Sequence, residues 1–144
     1  MGLPVKTLFM NAVEVDLNSI TQVAQVKRGQ MVPTDKEVAT YPFACFFEGD
    51  VRKTPHNRDQ LDKFELTFWV YVKESETQTV DEQGDILDAL IETLMLKTGT
   101  VLTNSHKILP VSSNIYYVDD QHNGLLQAVY EIELAHQYGD ATTK

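Results

Sequence analysis

The residues of this chain that could carry chemistry are four histidines, one cysteine and an excess of carboxylates over cations. A zinc site needs three or four ligands brought to one point, commonly two of them a helical turn apart. His56, His106, His122 and His136 are scattered over loops and strand ends, and none stands at i, i+4 from another ligand. Each reads as a surface or turn residue. Cys45 sits in the apolar run FACFF. A free thiol there behaves as a small hydrophobe, and no Cys/His/Asn set accompanies it to make a nucleophile. Asp119, Asp120 and Asn123 fall in one turn, where such side chains bond their own backbone. They lack the spaced oxygen ligands and closing Glu of a calcium loop. Glu131 and Glu133 share a strand face and read as solvated. No Gly-rich phosphate loop, G-x-S-x-G or CxxC is present. The sequence therefore assigns no catalytic residue, no metal ligand and no cofactor-binding residue, and it implies no cofactor. A paired-carboxylate hydrolase stays open, without an implied cleft.

The rest of the composition bounds what these residues serve. The chain has 144 residues, a length that suits one domain with its own core. Its net charge is −9, with a pI near 4.7, opposite in sign to the basic surface that grips nucleic acid. One local exception is the cluster Arg52, Lys53, His56 and Arg58, which reads either as a solvated loop or as a contact patch. One cysteine rules out a disulfide framework within the chain and fits a reducing compartment. The start, MGLPVKTLFMNAVEVD, has no signal-peptide apolar region. No stretch approaches the roughly 20 apolar residues of a membrane span. A soluble protein with no membrane partner is expected.

Periodicity supplies the elements. Residues 4–17 predict a helix, with Pro4 in its first turn and Leu8, Phe9, Ala12 and Val13 at helical spacing. Residues 18–40 are irregular: Ile20, Val23 and Val26 fit a helix, while β-branched content and Gly29 favour a short strand, which is preferred. YPFACFFEG predicts a strand covered on both faces, with Pro42 at its start. Residues 50–62 read as a long polar loop. Residues 61–73 alternate: Phe64, Leu66, Phe68, Val70 and Val72 form a core face, while Trp69 and Tyr71 lie on the other. That second face suits either a partner or a helix of the same chain. A helix follows from about Thr79 or Val80 to Lys97. Thr79 and Glu82 resemble a capping box, acids crowd its first turns, and Gly99 is a stop signal. Its stripe of Ile86, Leu87, Leu90, Ile91 and Leu94 is expected to meet the Phe64–Val72 face. An antiparallel hairpin closes the chain through 111–118 and 125–135, with Asn123–Gly124 in its turn. Residues 137–144 read as a mobile tail. The fold class is α+β: a mainly antiparallel sheet packed by two helices in a single domain.

The ordered set resembles the tail terminator (minor tail, or tail completion) proteins of long-tailed bacteriophages. It runs from the N-terminal helix through YPFACFFEG, a polar loop, FELTFWVYV and the helix DILDALIETLM to YYVDD and QAVYEIELAH. The resemblance covers residues 4–136. It implies a structural virion protein without enzymatic activity: a homohexameric ring that caps the tail tube and presents the head-joining surface. The implied partners are other copies of the chain, the tail tube protein and a head completion protein, with DNA only passing through the lumen. The implied location is the virion tail, after assembly in the host cytoplasm. Arg52, Lys53, His56 and Arg58 on the 50–62 loop, with Trp69 and Tyr71, would be interface residues. The loop would meet the tube or a neighbour and order on assembly. Another neck or head–tail joining protein, or an unrelated small α+β enzyme or ligand-binding domain, are the other classes the sequence leaves open.

Overall fold

A strand with alternating apolar and polar residues must bury one face, and the 61–73 pattern builds the spine of the molecule. In the computed structural model, which describes residues 5–29, 41–56, 59–101, 106–118 and 123–137, this segment lies within β4, Asp59–Lys73. Two helices, α1 (Val5–Asn18) and α2 (Val80–Val101), pack with a six-stranded sheet. The remaining strands are β1 (Gln25–Arg28), β2 (Phe43–Glu48), β3 (Arg52–His56), β5 (His106–Val118) and β6 (Asn123–Gln137). Their order is β1-β2-β4-β6-β5, with β3 also paired to β4. Only β1 and β2 run parallel; every other pair is antiparallel. The fold is α+β, as the periodicities predict.

Both helices lie on one face of the sheet. Phe64, Leu66, Phe68, Val70 and Val72 are all buried there, with Leu126, Ala128, Tyr130, Ile132 and Leu134 of β6 beside them. The helices supply Phe9, Met10, Val13 and Leu17 from α1 and Val80, Leu87, Ile91, Leu94 and Met95 from α2. Phe43, Ala44, Cys45 and Phe46 in β2 are all buried, Ala44 and Phe46 in the main core and Phe43 and Cys45 in a second cluster with Trp69 and Tyr71 rather than under a second layer. Pro42 precedes that strand after a cis peptide bond. Thr79 caps α2, its Oγ1 accepting the Glu82 N–H at 3.2 Å, a contribution of about 1 kcal/mol.

The structure corrects several expectations. Within the expected 50–62 loop, residues 52–56 and 59–62 are strand, and 57–58 lie outside the described residues. Glu48 pairs with Leu66 and Arg52 with Lys63, so three residues (Gly49, Asp50, Val51) oppose two on β4. This is a one-residue bulge, and past it the chain continues along β4 as β3. The segment is polar because β3 is a short strand at the rim of the sheet, with no apolar face to bury. The core face of α2 is rotated from the expected stripe: Ile86 is 41% exposed, whereas Val80, Gly84 and Met95 are buried. Helix α2 runs through Gly99 to Val101 rather than stopping there. Asn123 and Gly124 belong to β6, opposite Val118 and Tyr117, so the turn itself falls among residues 119–122, outside the described residues, as does 138–144.

Candidate functional site

The register sets the backbones of His56, His106 and His136 toward one end of the sheet, and none of their side chains is among the described residues. Among the described residues, no group of three or more His, Cys, Asp or Glu is placed to hold a metal ion. His56 lies in β3, His106 opens β5 and His136 is near the end of β6, while His122 lies outside the described residues. Cys45 is fully buried between its strand neighbours. Glu133 is paired with Lys63 across β4–β6 at 3.2 Å rather than simply solvated. Glu131 stands opposite Glu65 on the same open sheet face. A groove of about 350 Å³ runs past Gln22, Pro42, Gln78, Gln83, Ile86 and Leu87. Among the described residues, its polar side chains are the amides of Gln22, Gln78 and Gln83. No described helix is long and apolar enough to cross a membrane.

What the sheet offers instead is surface. On the face away from both helices, Phe43 stands opposite Tyr71 and Cys45 opposite Trp69. These four form a second, smaller apolar cluster. Phe47 meets the Trp69 ring edge-on at 5.1 Å. Trp69 and Tyr71 are thus half-buried by their own strand neighbours, not held free on an exposed strand. Burial, followed by the nearby Cys45 and Tyr41 groups, pushes the Tyr71 phenol above its ordinary value. The Trp69 indole N–H is buried without an acceptor among the described residues. Further along this face, Leu109 and Tyr116 of β5 are 41% and 47% exposed.

The basic candidates separate from the aromatic ones. Arg52 and Lys53 are exposed on β3, opposite Lys63 and Asp62. Lys63 is six residues from Trp69 along β4, or about 20 Å at strand rise. The side chain of His56 and all of Arg58 lie outside the described residues. Among the described residues, Arg52 and Lys53 therefore lie apart from Trp69 and Tyr71.

Two further charged features were not singled out from the sequence. Asp81, Asp85, Asp88 and Glu92 recur at i, i+4, i+7 and i+11 and share one face of α2. The structure sets that face along β5: the Tyr117 hydroxyl donates to Asp81 Oδ2 at 2.6 Å, and the Ser113 hydroxyl to Asp88 Oδ2 at 3.1 Å. The bond to Asp81 raises the Tyr117 phenol above its ordinary value. Burial, then the charges of Asp88 and Glu92, do the same to Tyr130. Between these two bonds Ile115 packs on Gly84, where a Cβ would come within 2.6 Å of its Cδ1, so the glycine lets helix and strand approach closely. The stripe was legible in the acid spacing; that it borders β5 was not. At the opposite side of the sheet, Lys6 and Arg28 both reach Glu48, at 3.3 and 3.7 Å. Lys27 is exposed beside them.

No family model and no curated protein sequence matches the chain. Among solved structures it is similar to a chain of the virion of a native gene transfer agent particle. The identity is 8%, 92% of each chain is covered and the TM-score is 0.46.

Proposed function

We propose that the protein is a structural virion component, a tail terminator that closes the end of a phage-type tail tube as a ring and presents the surface to which the head joins. The observation that carries this reading is the uneven dressing of the sheet. Both helices seal one face, and the other face has no described helix over it while it carries Trp69, Tyr71, Leu109 and Tyr116. Mixed aromatic and aliphatic surface of this kind suits protein contact. The ordered segments that resemble the terminator family are the same ones that build this sheet and its two helices. The chain works through interfaces, with Arg52, Lys53 and His56 of β3, together with Arg58, meeting the tube or an adjacent copy. A net charge of −9 per chain keeps such a ring from gripping DNA that passes through it.

Negative-stain images of the pure protein mixed with purified tail tubes test this. Density at one end of each tube, with none along its length, is the expected result. Tubes with bare ends at saturating protein would overturn the proposal.

A further inference from the structure

We infer that the acid-bordered edge of β5 takes the basic β1 edge of a second copy of this chain, in a head-to-tail contact. The inference rests on the ring reading and names the surfaces that would form it.

Among the described residues, strands β5 and β1 are the two ends of the strand order. An end strand leaves one row of backbone N–H and C=O groups unpaired, a template for another strand. Native edges are usually blunted by proline, bulges or charge. In β5 such devices sit toward the start: Pro110 lacks an N–H, and the register shifts between Pro110 and Ser112. From Ser112 to Tyr117 the strand carries neither a proline nor a charge. This is the part left open.

Charge selects the occupant. Along that open segment lies the stripe of Asp81, Asp85, Asp88 and Glu92, and no cation occurs between Val80 and Leu96 to offset it. Two β5 edges meeting about a twofold axis would bring two such stripes together, and like charges across an interface cost affinity. The far edge has the opposite character. Lys27 and Arg28 are exposed on β1, and Lys6 stands close by, with Glu48 shared between Lys6 and Arg28. One edge is therefore acidic and the other basic. Contacts between unlike surfaces are heterologous, and they close into a ring when the rotation per copy allows it. Net charge alone implies that copies repel and that salt promotes association by screening. This placement reverses the sign at the contact: salt weakens it, since opposite charges there are screened as well.

The test is a charge exchange in the full-length chain, read by sedimentation velocity. Asp85→Lys/Glu92→Lys puts cations at two of the four stripe positions and takes its net charge from −4 to 0, and Lys27→Glu/Arg28→Glu takes the β1 pair from +2 to −2. Each double variant alone is expected to self-associate about tenfold more weakly or worse, although the first lowers the chain's net negative charge. Mixed in equal amounts they should associate again, because each altered surface finds its complement on the other variant. Rescue by mixing also shows that both variants fold. Amide exchange over residues 112–117 should slow on assembly. If both variants assemble like the unaltered chain, this contact is wrong and the ring reading stands. If Lys27→Glu/Arg28→Glu assembles normally while the stripe variant changes, the contact is β5 on β5, which also overturns the inference. An unaltered chain that never associates, alone or on tubes, would remove the ring reading itself.

Discussion

Replacing Phe68 with Ala is expected to lower the unfolding free energy by about 3–5 kcal/mol, the range for deleting a large aromatic from a core. Phe68 is fully buried near the middle of β4. It stands opposite Phe46 on one side and Ala128 on the other. Its ring lies near-parallel to Phe46 at 6.3 Å and edge-on to Tyr130 at 5.7 Å. The small side chain of Ala128 cannot expand into the space left behind, and the neighbouring rings are held by their own strands. The cavity therefore persists, and its cost adds to the lost transfer energy. The midpoint of chemical denaturation should fall with an unchanged slope. An unaltered midpoint would mean that the Phe64–Val72 face is not the centre of the core.

The second large effect is expected at Gly124, where α2 begins its crossing of the sheet. A Cβ on this residue would overlap the Val80 Cγ1 methyl and press on the Tyr116 carbonyl oxygen and Val72 Cγ2, both at 3.3 Å. Val80 and Val72 are β-branched and have few rotamers to retreat into, and the carbonyl is part of the sheet. Gly124→Ala should cost about 1–3 kcal/mol by overpacking. Combined with Val80→Ala it should cost less than the two changes summed, since the second removes the obstructing methyl. Additive losses would place the strain elsewhere. Gly84→Ala is a useful contrast. There a Cβ would meet Ile115 Cδ1 at 2.6 Å and its Cγ1 at 2.9 Å, so the β-branched Ile115 must shift, and the preference of a helix interior for Ala over Gly by about 1 kcal/mol offsets part of that cost.

These two sites show what was and was not legible in the sequence. The alternation from Phe64 to Lys73 was readable because one face of β4 is fully buried and the pattern is strict. The same logic failed at 50–62. Strand β3 buries no apolar stripe of its own, so nothing in its composition distinguishes it from a loop; only its pairing with β4 does. In α2, Leu87, Ile91 and Leu94 were placed correctly and Ile86 was not. Six aliphatic residues within ten positions fit more than one stripe, and the choice is made by β5 and β6, whose approach to the helix depends on Gly84 and Gly124. A glycine in a helix reads as a weakness, whereas here its missing side chain is what allows the contact. The alternation sets Trp69 and Tyr71 on the face away from the core, but their partial burial was not legible in it. Their shielding comes from Phe43, Cys45 and Phe47 in a strand some 25 residues away, and it could be foreseen only from the register that joins Cys45 to Trp69. The acidic stripe of α2 lay in plain view. Only its first members, Asp81 and Asp85, enter the sequence reading, as support for the helix dipole, because the strand beside the stripe is supplied by a segment much later in the chain.

The central claim is that this protein acts as a closed ring of identical copies. Sedimentation velocity over a wide concentration range and a salt series, alone and with purified tail tubes, measures it most directly. The account predicts a discrete species of about six times the 16.3 kDa chain mass, formed at high concentration or on the tube and favoured at low salt. A strict monomer at every salt and at the highest concentration, still monomeric beside tail tubes, would contradict it.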